Sequence, residues 1–216
     1  MNIYLMRHGE TPWNKEKRIQ GQQDILLNER GRQLARATKE GWKEPVFDYV
    51  FSSPLSRAYE TAQILAGKGQ EIITDRRLKE IGFGDAEGLS MRRARSDKEN
   101  PIGRFFEHPD EYEPANGGES LDEVMARGME FMEQVIVPLE KGCKNLLIVA
   151  HACIIRSIIS GIEQIPTAEF WSGPPYKNCC VSLIECINGK MKVVEEARIY
   201  YEEREEENGR GYKLSI

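Results

Sequence analysis

The sequence predicts an α/β protein: a three-layer α/β/α arrangement around a mainly parallel central sheet. Three observations predict it. Ile3 to Met6 and Leu146 to Ala150 are continuous apolar runs, short enough for strands and too apolar for either face to meet water. Helical patterns alternate with such runs, the βαβα order of a parallel sheet. Late in the chain, Val181–Ile187 and Met191–Ala197 flank Asn188-Gly189, a two-residue hairpin signal that adds an antiparallel pair.

Taken in order, Ile3–Met6 is the first strand, and Asn28 is a cap for a helix running to about Trp42. Tyr49–Phe51 is a short strand. Ser53-Pro54 then reads as a cap and first-turn proline, opening a helix with Leu55, Ala58, Tyr59, Ala62 and Leu65 on one face. Glu71–Thr74 is a further strand. Residues 85–118 are charged, rich in Pro and Gly and weakly periodic, so they are expected as a helical or loop insertion covering the site. Ser120 and Glu123 form a capping-box pattern, and Leu121, Val124, Met125, Met129, Met132, Val135, Ile136 and Leu139 make the core stripe of the helix they open. Leu146–Ala150 is the strand ending at His151, with a helix over Cys153–Ile162 behind it. The tail from Tyr200, including EEREEE, is expected to be solvated. The expectation is one domain over residues 1–216.

Composition narrows the function classes. A net charge of −5 on 216 residues argues against nucleic-acid or membrane-surface partners. No apolar run approaches a membrane span and no secretory signal is visible, so a cytoplasmic location is expected. The five cysteines form no CxxC pair and read as reduced thiols, with Cys153 a small helix-packing residue.

The chemistry concentrates at two strand ends. The chain has three histidines, and two of them, His8 and His151, directly follow the apolar runs. Ligands of open parallel sheets bind beyond the carboxyl ends of the strands, so these imidazoles can face one site. Arg7 precedes His8, and Arg57 lies in the first turn after the strand ending at Phe51. Two guanidiniums, two imidazoles and helix N–H groups suit a dianion such as a phosphoryl group. No HxH, HExxH or P-loop spacing occurs, and flanking arginines would repel a cation, so no metal or other cofactor is expected. A neutral His8 remains as nucleophile, provided one ring nitrogen donates to a fixed acceptor.

RHGETPWN, Gln20-Gly21, LNERGRQLA, SSPLSRAYETA, LKEIGFGDAEG, Gly117 to Ser120 and VAHACIIR, in this order over residues 1 to about 160, together resemble the histidine phosphatase superfamily, its phosphoglycerate mutase-like branch. The resemblance implies that fold. It makes His8 the residue that becomes phosphohistidine, with Arg7, Arg57 and His151 holding the phosphoryl oxygens. It places Asn14 on the phosphoryl group or beside His8, and Gln20 and Gly21 on the substrate side. Glu80 becomes the acid that protonates the leaving oxygen and then activates water. The family commonly has Gly where this chain has Ala152, which would offer its N–H to the substrate. Arg156 matches a structural position.

Bisphosphoglycerate-dependent mutases carry a longer insertion with a paired-arginine, tryptophan-containing block. Arg92-Arg93 is present here without the surrounding pattern, so the resemblance favours a phosphatase of small phosphomonoesters. A phosphoglycerate mutase and, behind it, a non-catalytic binding member are the alternatives. Arg92, Arg93, Arg95 and Arg104 are candidates for a distal substrate charge or a solvated face; His108 is expected as an exposed residue. Sugar phosphates, phosphoglycerates, nucleotides and α-ribazole phosphate all fit as substrates, and the protein is expected as a monomer or homodimer.

Overall fold

A computed structural model describes residues 1–43, 46–97 and 101–202. The regular elements, in chain order, are β1 (Asn2–Arg7), α1 (Pro12–Lys15), α2 (Glu29–Trp42), β2 (Tyr49–Ser52), α3 (Ser56–Ala66), β3 (Ile72–Thr74), α4 (Met91–Ser96), α5 (Ile102–Glu107), α6 (Leu121–Phe131), β4 (Asn145–Ala150), α7 (Ala152–Glu163), β5 (Val181–Ile187) and β6 (Lys190–Arg198). One six-stranded sheet has the order β3-β2-β4-β1-β5-β6. Its first four strands are parallel; β5 runs antiparallel to its neighbour β1, and β6, antiparallel to β5 across the hairpin, points the same way as the first four. Asn188 and Gly189 take the left-handed conformations (φ 53° and 74°) that a tight hairpin turn needs.

The period of two along each strand sorts the side chains into two cores. Ile3 and Leu5 of β1 and Leu146, Ile148 and Ala150 of β4 cluster with Phe131 of α6 and with Ile154, Ile155 and Ile158 of α7. Met6, Leu147 and Val149 cluster instead with Leu34 and Ala35 of α2 and Ala58, Ala62 and Leu65 of α3. Helices therefore cover both faces, which is why the two central runs are apolar throughout. No described helix is long and apolar enough to cross a membrane.

Three local expectations are corrected. The helix after β2 starts at Ser56, not at Ser53-Pro54, and its N-cap Leu55 makes no side-chain cap. Asp24, from a distant loop, supplies the cap: its two carboxylate oxygens accept from the Ser56 N–H and hydroxyl, each at 2.7 Å. The helix opened by the Ser120–Glu123 capping box is α-helical only to Phe131, then continues as a π turn (Met132–Ile136) and a 3₁₀ turn (Val137–Leu139). Pro138, which has no N–H for the Gln134 carbonyl, accounts for the change. At the chain's other end Tyr200 is not free in solvent: its ring packs 5.5 Å from that of Trp42, and the Tyr201 hydroxyl donates to the Asn178 carbonyl at 2.9 Å. The rest of the tail, with nearly all of EEREEE, lies outside the described residues.

Register is what builds the site. Arg7 of β1 pairs with Ala150 of β4, so the next residue of each strand leaves the sheet at the same edge. Those residues are His8 and His151.

Candidate active site

The two imidazoles face each other with ring centroids 5.0 Å apart. Both are buried, and their hydrogen-bond partners determine which nitrogen carries the proton. His8 Nδ1 lies 2.6 Å from the Gly9 carbonyl, which can only accept, so Nδ1 holds the hydrogen and Nε2 presents a lone pair. Burial above all, then the positive charges of Arg57 and Arg7, hold the His8 pKa well below the usual 6.5, although the Gly9 bond pulls the other way. His151 is held down likewise, by burial and then by Arg57. Its Nδ1 accepts from Arg57, so Nε2 carries the hydrogen and donates to Ser53 Oγ at 2.8 Å. Both rings are therefore neutral at pH 7.

Arg57, in the first turn of α3, is the hub. Its Nε–H is shared between His8 Nε2 (3.3 Å) and His151 Nδ1 (3.2 Å). Nη1 donates to the Gln23 carbonyl and Nη2 to the Gly21 carbonyl, both at 2.7 Å, which leaves one N–H on each terminal nitrogen. Burial lowers its pKa to about 10, so the cation persists at neutral pH. Arg7 is tied to the Tyr176 carbonyl through Nη1, while its buried Nε has no protein partner among the described residues. A buried N–H of a guanidinium lining a cavity is a donor ready for an anion.

Glu80 lines the same cavity. Its carboxylate lies at the N-terminus of α7 and accepts, at long range, from the N–H groups of Cys153 (3.4 Å) and Ile154 (3.3 Å) and from Ile81 (3.1 Å). Burial raises its pKa above 4.5 and outweighs the opposing pull of Arg57 and those amides. The helix end and the cations thus hold an acid of shifted strength next to neutral imidazoles.

A cavity of about 150 Å³ opens onto this group. Arg7, His8, Asn14, Gln20, Gly21, Arg57, Glu80 and Ala152 all line it; His151 sits behind, against Arg57. Asn14 does not bond the His8 ring. Its Oδ1 accepts from Thr11 and from Asn178, and Asn178 also donates to the His8 carbonyl. Gln20 Oε1 accepts from the Thr11 hydroxyl at 2.8 Å. Gly21 is a glycine for cause: φ is +52°, and a Cβ would lie 1.9 Å from Glu87 Oε1. Ala152 is the first residue of α7 and is absent from the left-handed positions, so the missing glycine is tolerated there.

The arginines of the insertion supply no charge to the cavity, and His108 is exposed as expected. Arg92, Arg93 and His108 are exposed and away from the cavity; Arg95 lies over the Phe106 ring, and Arg104 pairs with Glu111. Beside Arg7 and Arg57, the cations that line the cavity are Lys17 and Arg18. No motif marked them, because a left-handed turn at Lys17 (φ 54°) brings them there. Ser53, expected as a helix cap, is the partner of His151. Cys153 reaches the cavity, but burial keeps its thiol protonated, in keeping with a packing role. Arg156 is buried against Glu196 (2.9 Å) and the Phe170 carbonyl, as a structural residue.

The sequence pattern of the histidine phosphatase superfamily (branch 1) matches residues 3–198. The chain belongs to the histidine phosphatase superfamily. Among relatives within it, phosphoglycerate mutase-like protein 4 of Arabidopsis thaliana is 40% identical over 159 residues, 72% of this chain and 68% of its own length. A metal-independent phosphoserine phosphatase of the same plant is 37% identical, covering 77% of this chain and 70% of its own. Among solved histidine phosphatase structures, Bacillus stearothermophilus YhfR superposes with a TM-score of 0.84 at 34% identity, over 92% of this chain and 97% of its own. Superfamily members of both kinds, phosphatases and phosphoglycerate mutases, are enzymes, and so is this chain.

Proposed function

We propose that this chain is a metal-independent phosphatase that hydrolyses small phosphomonoesters through a phosphohistidine on His8. The observation that carries the reading is the lone pair of His8 Nε2: it stands beside the Arg57 cation while Nδ1–H is locked on the Gly9 carbonyl. In-line attack by Nε2 forms the N–P bond as the ester P–O bond breaks. Glu80, protonated, gives its proton to the leaving oxygen. Its carboxylate then takes a proton from water, the hydroxide attacks phosphorus, and the N–P electron pair returns to Nε2. Arg7, Arg57 and the Ala152 N–H stabilise the equatorial oxygens, the work a divalent cation does in other phosphoryl-transfer enzymes, while His151, its Nε2–H given to Ser53, acts on them through Arg57 and not directly.

The organic half of the substrate meets Trp13, Ile19, Phe83, Met91, Phe106 and Trp171. That apolar wall supports hydrolysis of esters with carbon-rich alcohols over handling of a phosphoglycerate. One observation favours the mutase alternative: Lys17, a cation on the cavity wall that suits a substrate carboxylate. Arg18 serves this less well, being stacked 4.1 Å over Trp13 and bonded to the Gly88 carbonyl.

The test is turnover of 4-nitrophenyl phosphate in excess chelator, in the parent and in His8→Ala. Chelator-resistant activity that vanishes in the variant is expected; no turnover of any phosphoester points to a binding member. Isomerisation of 3-phosphoglycerate, dependent on bisphosphoglycerate, would replace the phosphatase reading by the mutase.

A further inference from the structure

Glu80 stands on an irregular segment between a one-turn helix (Arg76–Leu78) and another (Gly84–Ala86), with no strand or long helix to fix it. Its own carboxylate contacts are long. Something else must hold its backbone, and the structure shows what does.

Arg127 of α6 commits all five guanidinium N–H groups. Nη1 donates to the carbonyls of Arg77 (2.6 Å) and Lys79 (2.7 Å), and Nη2 to that of Glu80 (3.1 Å). Nε and Nη2 also grip Glu119 in a two-point fork at 2.9 and 3.1 Å. Glu119 Oε2 accepts from the Gly82 N–H at 2.7 Å, while the Glu119 N–H returns a bond to the Gly82 carbonyl at 2.8 Å. Gln22 Nε2 reaches both Glu119 (3.0 Å) and the Glu80 carbonyl (3.2 Å). The backbone on each side of residue 80 is therefore held by side chains that do not line the cavity.

We propose that Arg127, locked by Glu119, is a positioning residue that sets the reach of the Glu80 carboxyl to the leaving oxygen. The inference rests on the reading of Glu80 as the acid. Neither side chain touches substrate; both act through the main chain of residues 77–82. A lysine cannot replace Arg127, since an ammonium has three donors and no fork.

The test compares Arg127→Lys with the parent on an alkyl phosphate, whose poor leaving group needs the proton, and on 4-nitrophenyl phosphate, whose good one does not. A displaced acid predicts a kcat/KM loss of about 100-fold on the alkyl ester, from the sensitivity of catalysis to misplacement by about 1 Å, and under about 3-fold on the aryl ester, because kcat/KM reports formation of the phosphoenzyme alone and general-acid help to that step is small for a good leaving group. KM stays nearly unchanged on the alkyl ester, whereas on the aryl ester kcat and KM fall together, because hydrolysis of the phosphoenzyme, which also uses Glu80, limits turnover there. In a Glu80→Gln background the same substitution adds nothing further. Equal losses on both esters, or losses that multiply in the double variant, would mean a merely structural ion pair and overturn the proposal. Should Arg127→Lys fail to fold by circular dichroism, Glu119→Gln breaks the same fork and carries the same expectation. If Glu80→Gln by itself lowers kcat/KM on both esters alike, the acid role of Glu80 fails, and the positioning role falls with it.

Discussion

Gly21 offers the sharpest link between backbone geometry and the site. Replacing it by alanine forces an L side chain into the left-handed region, which costs roughly 1–2 kcal/mol. The new Cβ also falls 1.9 Å from Glu87 Oε1, the oxygen that accepts from the N–H groups of Gln22 (2.8 Å) and Phe83 (3.1 Å). Glu87 must swing away, and hydrogen bonds to a charged acceptor are worth about 1.5 kcal/mol or more each. The sum is about 4–5 kcal/mol or more of lost stability. Because the Gly21 carbonyl anchors Arg57 Nη2, kcat/KM should fall by about 100-fold as the guanidinium shifts. Gly69→Ala is the control: its φ is +86°, but nothing lies within 4 Å of the added carbon, so only the backbone cost of roughly 1–2 kcal/mol applies. Urea denaturation and steady-state kinetics of both variants measure the difference. If Gly21→Ala is as mild as Gly69→Ala in stability and activity, the clash with Glu87 and the anchoring of Arg57 are both wrong.

Three further outcomes follow from the site. Burial raises the Glu80 pKa, so between 4.5 and its raised value the folded state binds more protons than the unfolded one; its contribution to stability is whole at low pH and fades as pH rises through the folded value. Glu80→Gln should therefore gain stability over the parent as pH climbs toward neutrality, in urea denaturation at a series of pH values, while losing about 100-fold or more in activity on alkyl esters. For His8 and His151 the sign is opposite: with folded values held well below 6.5, the unfolded chain binds more protons and stability declines as pH drops below 6.5. Their ring-proton resonances should keep neutral shifts at pH 6, and an inflection near 6.5 would contradict the burial argument. Finally, Ser53→Ala leaves the His151 Nε2–H without its 2.8 Å partner while Arg57 still donates to Nδ1, so nitrogen NMR should show the hydrogen kept on Nε2 with kcat/KM reduced about 10-fold, the effect of one unsatisfied buried donor.

The parts of this fold that the sequence discloses are those governed by local pattern. Apolar continuity marks β1 and β4, and the polar residues that stop each run, Arg7-His8 and His151, mark the edge that carries the candidate site because the sheet register brings those two stops together. Asn28 and Ser120 cap their helices from their own sequence neighbourhood and are legible for that reason. What stays hidden depends on partners far away in the chain. The start of α3 is set by Asp24 from another loop, which frees Ser53 for His151. Lys17 and Arg18 reach the cavity only because the backbone reverses at Lys17, whereas the arginines of 92–104 sound basic and point elsewhere. Arg127 and Glu119 act on main-chain atoms, and such contacts leave no residue pattern to read.

The most direct measurement traps the covalent intermediate. The enzyme is mixed with a phosphorus-labelled monoester in the presence of chelator, quenched in alkali to preserve N–P bonds, and mapped by peptide. The expected result is a single acid-labile phosphoryl group on His8, absent from His8→Ala. Continued turnover with no label on His8, or label on another side chain, would contradict it.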